Sequence, residues 1–254
     1  MKLTERPCFL EYQTEIKGSL STMVAGFQSQ KLDLGYNLRA SSVYSSNIEG
    51  NSVDLNSYMN QKMRNEASRK KEIKEIDDLV EAYEFSGTKP LNEKSFLEAH
   101  RLLSRTILIK SKQGKYRQEP VGVFSDRGLV YLAVEPEFVQ PQMAGLFAEI
   151  EGLTSTELSL EETFYFASLI HLRFVHIHPF SDGNGRAARI LEKWFLVEKL
   201  GTQFWGLLSE KNYRVHQQEY YECINLGVNF YVLDYSKALP FLQMLPRAVQ
   251  FATF

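Results

Sequence analysis

Apolar residues recur along most of this chain at three- and four-residue spacing, and glycine and proline are few, so a mainly α-helical fold is expected. Residues 7 to 35 read as helical. A short helix from Ser41 to Glu49 should stop at Gly50, a residue suited to the left-handed position that closes a helix. Asp54 can cap a longer helical stretch whose apolar face runs, with breaks, through Leu55, Met59, Met63, Ile73, Ile76, Val80 and Tyr83. Gly87 and Pro90 end it, and the charged run Arg69-Lys70-Lys71-Glu72 reads as its solvated side. Further helices are expected over Leu91 to Ile109 and near Pro141 to Glu151. Ser159 with Glu162 three residues later matches a capping box, and Leu160, Phe164, Ala167, His171 and Phe174 share one face of the helix behind it. Another helix buries Ala187, Ile190, Leu191, Trp194 and Val197 and stops at Gly201. The exception to the helical period is Val121-Gly122-Val123-Phe124 and Leu129-Val130-Tyr131-Leu132, which flank the turn-forming Ser125-Asp126-Arg127-Gly128 and read as a lone β-hairpin. A two-stranded hairpin is marginal in water, so this one must lean on the helices or bind something.

With 254 residues, 44% hydrophobic and 24% charged, the chain can bury a substantial core. A formal net charge of -2 supplies no overall basic field, so neither nucleic acid nor anionic membrane is expected as a partner. Cys8 and Cys223 are too few for a disulfide framework or a zinc site, which points to a reducing compartment. The N-terminal MKLTERPCFLEYQTEIKG lacks the apolar run of a signal peptide, and no stretch approaches the ~20 apolar residues needed to cross a bilayer, so the cytoplasm is expected.

The chemistry concentrates in His178-Pro179-Phe180-Ser181-Asp182-Gly183-Asn184-Gly185-Arg186-Ala187-Ala188-Arg189, which lies between two buried helices. The Gly183-Asn184-Gly185 turn allows consecutive N–H groups to converge on an anion at the positive end of the following helix. Arg186 and Arg189, three apart on that helix, can both grip phosphate oxygens, and two arginines suggest more than one phosphate. Asp182 beside the cradle can hold Mg²⁺ together with phosphate oxygens. His178 can accept a proton from an attacking hydroxyl at neutral pH. Taken singly, such a turn is usually only a turn, and a histidine by an apolar helix usually only packs; their joint occurrence points to a phosphate site. His171, His176 and His178 lie close in sequence, but no cysteine accompanies them and a transition-metal site is set aside. His100 and His216 show no partner in sequence.

This run resembles the signature of the Fic family of the Fic/Doc superfamily: HPF, any residue, an acid, GNGR, two residues, Arg. The resemblance implies a Fic-type helical bundle with one β-hairpin flap and transfer of AMP from ATP to a Tyr, Ser or Thr hydroxyl of a target protein. It implies His178 as the base, Asp182 as the Mg²⁺ ligand, Asn184 with Gly183 and Gly185 on the α-phosphate, and Arg186 and Arg189 on the outer phosphates. The Doc branch, which phosphorylates its target, has lysine where Gly185 stands. Residues 1–90 would form an N-terminal helical region, 91–210 the Fic core and 211–254 a C-terminal helical extension.

Ser45-Ser46-Asn47-Ile48-Glu49-Gly50 is similar to the inhibitory helix motif of Fic proteins. A carboxylate in the last turn of a helix faces the negative end of the dipole and is favourable mainly where a cation meets it. The resemblance supplies that cation as Arg189, and so implies an enzyme held off by Glu49. It also implies that the hairpin, through Val121, Val123, Leu129 and Tyr131, docks the target by strand addition, that Gly114-Lys115-Tyr116-Arg117 leads into it, that Tyr220 and Tyr221 line the adenine pocket, and that a homodimer can form. Two other functions remain open: removal of AMP from a modified protein at the same site, and a regulatory module that binds nucleotide without transfer.

Overall fold

The computed structural model describes residues 1–60, 67–125 and 128–252. Its helices are α1 (Phe9–Ile16), α2 (Ser19–Gln28), α3 (Leu34–Ile48), α4 (Leu55–Met59), α5 (Ala67–Ser86) and α6 (Glu93–Leu103) before the hairpin, with strands β1 (Gly122–Ser125) and β2 (Gly128–Leu132). After it come α7 (Pro136–Ser155), α8 (Leu160–Ile177), α9 (Asn184–Leu200), α10 (Ser209–Val215), α11 (Gln217–Ile224), α12 (Leu239–Leu242) and α13 (Met244–Ala248). The fold is mainly helical with one hairpin, as the periodicity implies. Met63, Asp126, Arg127 and the Arg69 side chain lie outside the described residues.

The central pair is α8 against α9, with α7 packed on both. Every residue of α8 from Thr163 to Ile177 is buried, as expected of a helix at the centre of a bundle. Its start is the expected capping box, in which the Glu162 N–H donates to Ser159 Oγ at 3.1 Å and the Ser159 N–H donates back to Glu162 Oε2 at 3.0 Å. The last helices join the same core, where Phe241, Leu242 and Leu245 pack with Phe164 and Ile170. A smaller cluster of Val43, Val53, Tyr58, Ile76 and Val80 lies among α3, α4 and α5.

Several boundaries differ from the periodic reading. The stretch over 7 to 35 divides into α1 and α2 at Gly18, whose φ of +82° is left-handed. The helix expected from Ser41 begins seven residues earlier, because Asp33 caps it by accepting the Tyr36 N–H at 2.9 Å. The helix expected near Pro141 begins at Pro136 instead, with Pro141 inside it at the cost of one backbone donor. Gly50 behaves as expected: at φ +94° it closes α3, with the Asn51 N–H donating to Ser46 O at 3.1 Å and the Gly50 N–H to Asn47 O at 3.2 Å, a Schellman turn.

A buried lysine fastens α3 to the core. Lys193 of α9 donates from Nζ to Ser41 Oγ and to Glu210 Oε2, both at 2.7 Å, and Glu210 also accepts the Tyr83 hydroxyl at 2.5 Å. The hairpin leans on α8: the Tyr131 hydroxyl donates to the His176 carbonyl at 2.6 Å. Val123 lies opposite Tyr131, with a bulge between Val123 and Phe124. On the outer edge of β2 the Leu132 N–H donates to Val228 O at 3.0 Å.

Candidate active site

His178 terminates α8 in the left-handed conformation, φ +50° and ψ +58°, uncommon for a residue with a side chain and costly enough to mark a site where geometry matters. Arg117, itself buried, holds the turn by donating from Nε to the His178 carbonyl at 2.7 Å, from Nη1 to Glu119 O at 2.9 Å and from Nη2 to Val134 O at 2.5 Å. It thereby supplies donors and positive charge to the end of α8, where backbone carbonyls lack helical partners. The His178 ring is oriented by Nδ1, which donates to Val175 O at 3.3 Å and leaves Nε2 as the acceptor. Burial lowers the His178 pKa, the neighbouring Arg117 adding to the shift, so the ring stays a base below the usual imidazole range.

The following loop is tied to itself by Asn184, whose Oδ1 accepts the Phe180 N–H at 2.9 Å while its Nδ2 donates to Phe180 O at 2.8 Å. That side chain shapes the loop and keeps a second Nδ2 N–H beyond the one given to Phe180 O. Gly183 caps α9 at φ +81°, where a Cβ would stand 3.0 Å from Leu103 Cδ1. His100 supports the loop from below. Its ring stacks on Phe180 at 3.4 Å, Nδ1 accepts the Gly114 N–H at 3.1 Å, and Nε2 donates to the Asp182 carbonyl at 3.0 Å. Burial pushes its pKa down to about 4, consistent with a ring that must keep Nδ1 as an acceptor. The Asp182 carboxylate is exposed beside the turn and accepts the Gly183 N–H at 2.5 Å. Among the described residues no cluster of three or more His, Cys, Asp or Glu stands ready to hold a metal alone. One exposed hard oxygen donor beside an anion turn does fit Mg²⁺, which keeps its waters and takes its remaining ligands from substrate phosphates.

The two arginines have different surroundings. Arg186 is buried, its Nη2 3.7 Å from Glu75 Oε2, and its Nε has no hydrogen-bond partner, the mark of a donor that suits an incoming anion. Arg189 is fully buried and held on several sides. Nε donates to Ser45 Oγ at 2.8 Å, Nη2 to Ser45 O at 3.0 Å and to Glu49 Oε1 at 2.6 Å, and Nη1 to the Tyr220 hydroxyl at 3.3 Å. The Glu49–Arg189 ion pair is thus present, with the Glu49 side chain 30% exposed. Burial tends to raise the Glu49 pKa, but the Arg189 and Arg186 charges outweigh it and hold the carboxylate below its ordinary range. Burial likewise works against the Arg189 charge, and Glu49 outweighs it, so its pKa rises.

Glu49, His178, Gly185, Tyr131, Tyr220 and Tyr221 line a cavity of about 470 Å³ roofed by Val123 and Phe124 of the hairpin. Tyr220 is buried, whereas Tyr221 is partly exposed and donates its hydroxyl to Ile48 O at 2.9 Å, satisfying a carbonyl at the end of α3. Val123 and Leu129 are exposed, but Tyr131 is buried as an anchor, and its backbone faces β1, so it offers no docking edge. Val121 precedes β1 and accepts the Ala133 N–H at 3.1 Å. The alternation of ladder bonds then turns the peptide groups of Gly122 outward on the β1 edge. Sequence reasoning found no function for His100, and its resemblance-based account of Arg117 did not reach the His178 carbonyl; both act on backbone groups, which carry no sequence signal.

Residues 90–196 match the model of the Fic/DOC family. The chain is 31% identical over 219 residues to a Nematostella vectensis protein adenylyltransferase Fic, covering 82% of this chain and 46% of the relative. A Culex quinquefasciatus protein of the same description is 28% identical over 195 residues, 72% of this chain and 36% of the relative. The chain therefore spans less than half the length of these relatives. The fold is that of a Fic family protein from Desulfovibrio desulfuricans G20, with a TM-score of 0.77 at 23% identity over 97% of this chain and 74% of that one. Among the described residues no helix is long and apolar enough to cross a membrane.

Proposed function

Since the chain belongs to the Fic/DOC family through residues 90–196, we propose that it is a protein adenylyltransferase that moves AMP from ATP to a Tyr, Ser or Thr hydroxyl of a target protein and is restrained by Glu49. The observation that carries the reading is His178 Nε2, left as an acceptor in a cavity that also contains the Gly185 turn at the start of α9. The target oxygen attacks the α-phosphorus, its proton passes to His178 Nε2, and the bond to the bridging oxygen breaks so that pyrophosphate leaves. Backbone N–H groups of residues 183–185 meet the phosphate at the positive helix end, and Arg186 and Arg189 take the outer phosphates. Asp182 would hold Mg²⁺, which supplies charge neutralisation to the phosphate oxygens. The target lies along β1, whose outward Gly122 peptide groups suit strand addition. Glu49 restrains this chemistry by occupying Arg189, 2.6 Å away.

A hydrogen bond to a charged group is worth about 1.5–3 kcal/mol. Glu49→Gly is therefore expected to raise self-labelling from α-³²P ATP with Mg²⁺ by about 10- to 100-fold. Adding His178→Ala should cut that labelling by about 10²- to 10⁴-fold, the usual contribution of a general base. A Glu49→Gly variant that binds nucleotide yet labels no protein rules out transfer and leaves a nucleotide-binding module. The reverse reaction is a second reading, favoured by the Glu49 carboxylate lining the same cavity as His178, where it can orient a water. Glu49-dependent loss of label from a pre-modified target would establish it.

A further inference from the structure

Arg189 is the last residue of a buried hydrogen-bonded chain that extends away from the cavity. Its Nη1 donates to the Tyr220 hydroxyl at 3.3 Å, that hydroxyl lies 3.0 Å from His171 Nε2, and His171 Nδ1 lies 2.8 Å from Glu192 Oε2, which also accepts the Tyr213 hydroxyl at 2.9 Å. A donor-only guanidinium at one end and an acceptor carboxylate at the other fix the direction of every bond. His171 carries its proton on Nδ1, Nε2 accepts the Tyr220 hydroxyl proton, and the Tyr220 oxygen is left to accept from Arg189. That orientation gives each proton in the chain an acceptor.

Packing alone does not call for this arrangement. His171 and Glu192 are fully buried, and Glu192 places its two hydrogen bonds on one oxygen while Oε1 has no partner. Apolar residues of similar volume would hold the core as well or better. The imidazole is fixed in orientation by Tyr213, Tyr220 and Phe241, all edge-on at ring separations of 5.7, 5.8 and 5.1 Å. The atom at the far end also matters: a Cβ on Gly185 would stand 3.2 Å from Arg189 Nη1, so that nitrogen overhangs the anion turn.

We propose that His171 is a positioning residue for Arg189, acting through the Tyr220 hydroxyl to aim Nη1 at the outer phosphates of a nucleotide. The proposal rests on the adenylyltransferase reading. Glu49 and His171 hold different nitrogens of one guanidinium, so loss of Glu49 leaves Arg189 aimed, and loss of the His171 acceptor does not.

The test compares ATP and AMP binding in the Glu49→Gly chain, without Mg²⁺ and without target. His171→Gln keeps an acceptor near the Nε2 position and loses the Glu192 contact; His171→Asn keeps a donor toward Glu192 and loses the acceptor. His171→Asn and Tyr220→Phe are expected to weaken ATP binding by about tenfold, the effect of one lost hydrogen bond to a charged group, with AMP binding unchanged in His171→Asn and lowered less than ATP binding in Tyr220→Phe. His171→Gln should stay within about twofold of its parent. Equal losses in the Gln and Asn variants, or equal losses of ATP and AMP binding in Tyr220→Phe, reduce His171 to a packing residue and overturn the proposal. Should His171→Asn fail to fold, His171→Leu, which fills the site without an acceptor, takes its place with the same expected tenfold loss of ATP binding. A Glu49→Gly parent that binds no nucleotide overturns the transferase reading and this one with it, whereas a parent that prefers ATP, with all three variants unchanged, overturns this one alone.

Discussion

At Gly185 the space a side chain would fill is already taken, since a Cβ there would overlap Glu49 Oε1 and lie 3.2 Å from Arg189 Nη1. Gly185→Ala must therefore disturb the ion pair before any substrate arrives. Overpacking of this kind costs about 1–3 kcal/mol, and most of it should vanish when Glu49 is absent. The expected outcome is a Tm several degrees lower for Gly185→Ala in the parent chain and a clearly smaller loss in the Glu49→Gly background. Equal losses in both would mean that the turn, and not the carboxylate, sets the requirement for glycine. The motif residues themselves were legible because they are consecutive, and the Glu49–Arg189 contact through the resemblance of Ser45 to Gly50 to an inhibitory motif, since a carboxylate at a helix end calls for a cation without naming it. His100 and His171 were not legible as partners. The first bonds a carbonyl 82 residues away, and the second reaches side chains 21 and 49 residues away, separations at which sequence spacing says nothing about contact.

At the scale of elements, among the described residues a side-chain bond from Tyr131 holds the hairpin on α8. Tyr131→Phe removes the hydroxyl that donates to the His176 carbonyl and should cost about 1 kcal/mol of hairpin docking. Limited proteolysis should then cut within residues 121–132 sooner, while target labelling by the Glu49→Gly chain falls and ATP affinity stays within twofold. Unchanged labelling would remove the hairpin from target docking. The elements were readable where a cap or a glycine punctuated them, as at Ser159, Gly50 and Gly201. They were misplaced where tertiary contacts extended a helix past weak local signals: α3 begins at Leu34 although Gly35 lowers its local propensity, and α7 runs through Pro141.

For the whole molecule, acid should act through His176, which is buried beneath the hairpin with Nδ1 accepting the Tyr235 hydroxyl and Nε2 donating to Ile224 O, both at 2.8 Å. Burial pushes its pKa down to about 4, and the nearby His171 and His178 add to the shift. The unfolded chain takes up this proton near pH 6.5 and the folded chain only near 4, so the stabilising effect is complete above pH 6.5 and is lost as pH falls through that window. The loss is on the order of 3 kcal/mol at pH 4. Tm should fall across this range, with His100 contributing in the same direction, and less steeply in His176→Gln; parallel slopes would dismiss His176 as one of the acid-sensitive groups. Above that range, the docking of α3 sets how firmly Glu49 acts. Lys193 pins Ser41, Arg189 grips Ser45, and the Gly50 turn locks the end of the helix, so Glu49 can leave Arg189 by rotating its own side chain. A restraint of a few kcal/mol is never fully shut: roughly 0.1–10% of molecules are open at any instant. If Glu49 restrains the enzyme as proposed, the resting protein would have a basal leak rather than a latch, and a partner that shifts the rotamer of one carboxylate would regulate it without moving a helix.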